Sequence, residues 1–198
     1  MGTATQPTFA SPATLADLLA VPEEQRVELI GGIIVDRAAP SFDHGQAQGG
    51  ITESVRPTFG RPPGGGSSPG GWWIGSEILV GYTAKDVFRH DVVGWKRASC
   101  PTRPSGAVVF ARPDWACEIL SPSNWANDTV RKFRALETAG VPYYWVVDIE
   151  HGVLTVYGLV DGHYYAAAFA EPGQVARLAP FEAVEFDTSI LFGLDPQD

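Results

Sequence analysis

The sequence predicts an α/β fold: a central mixed β-sheet flanked by helices, with β-hairpins added. Strand-like runs stand before and after one amphipathic segment at 127–139. Glycine-centred hairpin signals lie toward both ends, at Gly31-Gly32 and Asp161-Gly162. The apolar run Trp115–Leu120, the amphipathic segment and the strand starting at Tyr143 form a strand–helix–strand unit, so those two strands are expected to run parallel.

The 198 residues suit one domain, set at 11–198 behind a flexible tail at 1–10. Ser11-Pro12 offers an N-cap and a first-turn proline for a short helix with Leu15, Leu18 and Leu19 as its apolar stripe, ended by Pro22. Two strands follow, Val27–Ile30 and residues 33–37. A weaker helix is expected from Asp43 to Val55, marked by Ile51 and Val55 and weakened by Gly45, Gly49 and Gly50. Residues 60–71 are Gly, Pro and Ser apart from Arg61, and read as a loop without chemistry of its own. "GWWIGSEILVGY" and "HDVVGWKR" are strand-like runs joined by a polar turn. The helix at 127–139 is closed by Gly140 and Pro142, and three strands follow it with turns at His151-Gly152 and Asp161-Gly162.

With 14 basic and 23 acidic residues the net charge is −9, which argues against a broad basic face coating nucleic acid or anionic membrane. A local site that binds phosphate through a metal ion stays open. The two cysteines form no disulfide framework: Cys117 reads as a core thiol and Cys100 sits in a Pro-rich turn. No basic segment followed by an apolar stretch opens the chain, and no run approaches the ~18 apolar residues of a membrane span. A soluble cytoplasmic protein without a membrane partner is the expectation. The glycine-rich stretch lacks a P-loop's Gly-Lys-Ser/Thr ending, so no nucleotide cofactor is expected.

One residue in the apolar run "RPDWACEILSPSN" demands explanation. Glu118 stands in a strand destined for the core, where a bare carboxylate costs several kcal/mol or more. At 100° per residue, Val130, Phe133, Leu136 and Ala139 share the sheet-facing sector of the following helix; Lys132 falls inside it, while Arg131 and Arg134 fall outside. Lys132 is therefore a candidate counter-charge, against the plainer reading of a lysine snorkelling past the stripe. Asp91, opening "HDVVGWKR", is the third member, its plainer reading a solvated strand-end aspartate. Two carboxylates and a lysine are what metal-assisted phosphodiester hydrolysis requires: carboxylates hold a hard divalent ion, and the lysine orients water and stabilises developing charge.

"RVELIGGIIV", "GWWIGSEILVGY", "HDVVGWKR", "RPDWACEILSPSN", "DTVRK" and "AGVPYYWVVDIEHGVLTVYGLVDGHY", in order over roughly residues 26–165, resemble the Uma family of restriction-endonuclease-like proteins in the PD-(D/E)xK nuclease superfamily. The resemblance implies a restriction-endonuclease-like core, magnesium-dependent cleavage of DNA, with manganese as the substitute ion, and a homodimer. Asp91 matches the metal-binding aspartate of the first motif, with His90 where proline is usual. Glu118 matches the acidic residue of the second, with the Ile119 carbonyl as an added metal ligand. The lysine expected two residues after Glu118 is replaced by Leu120, and Lys132 fits the helical place to which it migrates in this family. Glu28 matches an acidic position able to approach the metal site, weighed evenly against a solvated hairpin carboxylate.

Glu77 sits at another matching position, lining the cleft or pairing with a basic residue, and His44 is either a substrate contact or a helix-terminus histidine without a catalytic role. Asp114, in the literal "PD", is on the same strand as Glu118 and reads as a strand-entry residue; Ser121 reads as a turn cap. Trp72, Trp73, Tyr143, Tyr144 and Trp145 read as core or interface aromatics rather than base-stacking platforms. Arg97, Arg103, Arg112, Arg131 and Arg134 are the residues able to build a local basic groove. The alternatives left open are a nuclease-fold interaction module without efficient cleavage, and an enzyme acting on a smaller phosphoester.

Overall fold

Glycine turns and one crossover helix set the strand order in the computed structural model, which describes residues 11–22, 24–64, 69–120 and 127–194. The segment 1–10, residues 65–68 of the glycine-rich stretch and Ser121 lie outside the described residues. The elements run α1 (Leu15–Ala20), β1 (Val27–Ile30), β2 (Ile33–Asp36), α2 (Phe42–Phe59), β3 (Trp72–Thr83), β4 (Asp86–Lys96), β5 (Trp115–Leu120), α3 (Asn127–Ala139), β6 (Tyr143–Asp148), β7 (Val153–Val160), β8 (His163–Ala170), β9 (Val175–Ala176) and β10 (Phe186–Asp187), then a 3₁₀ turn at Thr188–Leu191. Eight strands form one sheet in the order β2-β1-β4-β5-β6-β7-β8, with β3 on β4; β9 and β10 form a separate pair. As expected, β5 and β6 are parallel across the α3 crossover, and the other strand pairs of the sheet are antiparallel.

Alternation along β5 sends its residues to two cores. Trp115, Cys117 and Ile119 join Trp145 and Val147 of β6 against Ala47, Ile51 and Val55 of α2. Ala116 joins Tyr144 against Leu136 of α3. The two helices therefore cover opposite faces, and Glu118, in step with Ala116, faces α3.

Several elements depart from the sequence expectations. Thr14, not Ser11, caps α1, because Thr14 and Asp17 exchange both bonds of a capping box. Leu19 is exposed while Leu18 is buried. Helix α2 extends beyond the expected span at both ends. Its N-cap Ser41 accepts from the His44 N–H, and Gly50 is needed because a Cβ there would stand 2.9 Å from Ile190. In α3, Phe133 and Leu136 pack inward, whereas Val130 is exposed. Its end is a Schellman motif: the Val141 N–H donates to Leu136 O and the Gly140 N–H to Glu137 O, with Gly140 at φ 74°.

The most consequential departure is at Asp91. Because β4 begins at Asp86, Asp91 lies in mid-strand rather than at its opening. Phe88 packs with the α3 core but Val92 with the α2 core, so the pleat slips by one residue between them. The partner strand breaks at the same level: Glu77, between the pairs Ser76–Val92 and Ile78–His90, has φ 58°. Asp114 enters β5 as expected, accepting from the Lys96 N–H and the Ser99 hydroxyl.

Two measurements check this packing. Leu136→Ala should cost about 2–5 kcal/mol in urea unfolding, as buried leucine truncations do. Gly140→Ala, forcing a Cβ into the left-handed region, should cost about 1–2 kcal/mol.

Candidate active site

β4 and β5 pair at Gly94–Trp115, Val93–Ala116 and Val92–Cys117. One step further the Asp91 side chain takes over: its Oδ2 accepts the Ile119 N–H at 2.7 Å. The Ile119 carbonyl leaves the same edge of β5 as its N–H, since a residue's two main-chain groups point to one side of a strand. Asp91 is fully buried, and its Oδ1 meets Arg37 Nη2 at 2.8 Å and His44 Nε2 at 3.2 Å.

Glu118 answers its own question through three partners. Lys132 Nζ reaches its Oε2 at 3.1 Å, His90 Nδ1 its Oε1 at 2.6 Å, and Arg37 Nη2 lies 3.8 Å from Oε2. The other ring nitrogen of His90 meets the Tyr82 hydroxyl at 2.7 Å. Lys132 also donates to Glu28 Oε1 at 2.8 Å, and the same oxygen accepts the Arg89 N–H. Glu28 is thus a buried partner of Lys132 rather than a solvated hairpin carboxylate. Glu118 is 5% exposed and Lys132 6%, so this contact is not a lysine snorkelling to solvent.

Burial alone would push the Glu118 carboxyl up. The Lys132 ammonium, the hydrogen bond and charge of His90, and Arg37 outweigh it and hold the group well below the ordinary carboxylate range. Burial would likewise lower Lys132, but Glu118 and Glu28 raise it, so the amine stays protonated at neutral pH.

A second group adjoins the first through Asp91. Ligand atoms of His44, Glu77 and Asp91 lie within 4.8 Å of one another. Gln48 donates to Glu77 Oε1 at 3.1 Å and to the Asp91 carbonyl at 2.8 Å, and Arg26 pairs with Glu77 Oε2 at 2.5 Å. Asp91, Glu118, Ile119, Lys132, Glu28, Glu77 and His44 therefore sit in one connected network. Arg37, His90, Gln48 and Arg26 are the members sequence reasoning missed. Their one signal was position, Arg37 closing the first hairpin and His90 preceding Asp91. Of the arginines weighed as a basic groove, Arg103 lines one cleft and Arg131 with Arg134 another, while Arg112 donates to the Gly140 carbonyl.

The fold of this chain is shared by a solved structure titled "Crystal structure of a putative nuclease belonging to DUF820 from Anabaena variabilis ATCC 29413". The two superpose with a TM-score of 0.73 at 19% identity, over 92% of this chain and 98% of that one. The model of the family described as "Uma2: Putative restriction endonuclease" matches residues 13–190, and the chain belongs to that family. No curated protein matches the chain. None of the described helices is long and apolar enough to cross a membrane.

The depressed Glu118 carboxyl has a definite pH consequence. A group held lower in the folded state adds stability above its unfolded value, here the ordinary 4.5, and loses it as pH falls through the folded value. Urea midpoints should therefore drop from about pH 4.5 downward. Glu118→Gln, which has no carboxyl to titrate, should flatten that part of the profile.

Proposed function

We propose that the protein is a metal-dependent endonuclease hydrolysing DNA phosphodiester bonds. Asp91 and Glu118 hold magnesium, the Ile119 carbonyl adds a ligand, and Lys132 orients the attacking water. The observation that carries this reading is the convergence of Asp91, Glu118 and Lys132 in one buried network. The donor set fits a cation: among the described residues, the lysine and arginine side chains paired with Glu28, Asp91 and Glu118 are Arg37 and Lys132, two for three carboxylates. Carboxylate and carbonyl oxygens suit magnesium, and the His44 imidazole beside Asp91 also suits manganese. A bound ion would lower the pKa of a water ligand and neutralise charge on the phosphate oxygens.

The chain's own groups supply orientation and charge. His90 fixes Glu118 by one oxygen and Lys132 contacts the other. Glu28 aims the Lys132 ammonium, and because that amine stays charged it stabilises developing negative charge rather than abstracting a proton. Arg37, between the carboxylates, must shift or share its contacts when an ion enters. That placement favours the rival reading, an interaction module without efficient cleavage. The proposal includes a homodimer through β8, an edge strand of the sheet on which Tyr165 and Phe169 are exposed.

Calorimetric titration should show magnesium or manganese binding that Glu118→Ala abolishes; no binding at millimolar metal would sink the catalytic reading. Lys132→Ala should retain metal binding yet cut plasmid cleavage about 10²–10³-fold, the usual loss of one transition-state donor. Light scattering should give twice the chain mass, falling to one chain in a Tyr165→Glu/Phe169→Glu variant.

A further inference from the structure

We propose that the cleft between the open edge of β3 and residues 103–106 is a subsite for one unstacked nucleotide of the substrate strand; the inference rests on reading the neighbouring site as a nuclease. The segment after the glycine-containing turn at 106 bonds to β3 only near Leu79 and Gly81, through the Val109 N–H and carbonyl. Below that, the edge from Trp73 to Ile78 faces a cleft of about 430 Å³. Arg56, Arg103 and Ser105 supply its polar wall, and Trp73, Ile78 and Trp95 its apolar one. Its volume lies in the roughly 300–1,000 Å³ range of small-molecule sites.

Charge makes this place unusual in a chain of net −9. Among the described residues no carboxylate pairs with Arg56, Arg97 or Arg103. Arg97 lies 3.6 Å from the Trp73 ring centroid and donates to the carbonyls of Trp72 and Gly60, so its charge stays uncompensated. Guanidinium groups recognise phosphate, and an indole and isoleucine wall suits the face of a base. Phosphate alone has no use for that wall.

The cleft also continues the site. His44, Gln48, Thr52 and Arg56 recur every four residues, so they form one ridge along α2. His44 contacts Asp91, Gln48 contacts Glu77, and the Thr52 hydroxyl lies 3.4 Å from that of Ser76. Arg56 ends the ridge in the cleft. At 1.5 Å per residue it stands about 18 Å along the helix from His44, the rise of roughly five nucleotides of one duplex strand. A strand lying along the α2–β3 wall from the carboxylates thus meets the arginines at its far end.

Fluorescence anisotropy with a labelled single-stranded oligonucleotide and its duplex tests this. Arg56→Ala/Arg103→Ala should weaken single-strand binding about tenfold and reduce the salt slope by about 1.4, roughly 0.7 for each lost phosphate contact on a single strand. Melting temperature and manganese titration should not change, since both arginines are exposed and outside the metal network. Ser105→Trp, filling the cleft, should weaken the single strand more than the duplex. Thymidine monophosphate should displace the single strand at lower concentration than inorganic phosphate; equal potency would overturn the nucleotide assignment. If the unsubstituted protein binds DNA and the double variant matches it in affinity and salt slope, the subsite is wrong and the nuclease reading stands. If the unsubstituted protein binds neither oligonucleotide, both fall.

Discussion

Three carboxylates held out of water around two shared cations are the constraint on which the structure depends. Glu28 comes from β1, Asp91 from β4 and Glu118 from β5, and burying each unpaired would cost several kcal/mol. Two cations make the arrangement tenable. Lys132 arrives from α3 and Arg37 from the end of the first hairpin. The crossover helix and the hairpin are therefore tied to the sheet by charge as well as by packing. His44 extends the tie to α2, so both helical layers and the edge hairpin meet at Asp91 and Glu118.

Much of this was legible in the sequence, for a definite reason. The parallel pair, α3 and the inward lysine follow from local periodicity, and a carboxylate between Cys117 and Ile119 announces an unmet charge. Other parts depended on residues far apart in the chain. Arg37 meets Asp91 across 54 positions, and nothing near either one signals the other. The β9–β10 pair is too short for an alternation signal and is positioned by burying Phe186 and Leu191. Val130 satisfied the helical period but precedes the part of α3 that packs, which begins at Lys132. The mid-strand position of Asp91 stayed hidden because the pleat slip there breaks the very alternation used to recognise strands.

Net charge likewise concealed as much as it disclosed. A total of −9 describes the sum and not its distribution. Part of the negative charge is buried and matched in the carboxylate network, while guanidinium groups with no carboxylate partner among the described residues collect at the β3 edge. An acidic chain can in this way offer a phosphate-attracting surface confined to one region.

The slipped pleat at Asp91 and Glu77 sets a polar seam on β4 and β3 where β4 changes from one face's core to the other's. On β4, Phe88 on one side of it packs in the α3 core and Val92 on the other in the α2 core. A volume change on one side need not be relayed to the other, because the seam itself is held by hydrogen bonds and charge rather than by interdigitated side chains. Each core can then drift in composition over evolutionary time while the polar groups at the join keep their relative positions.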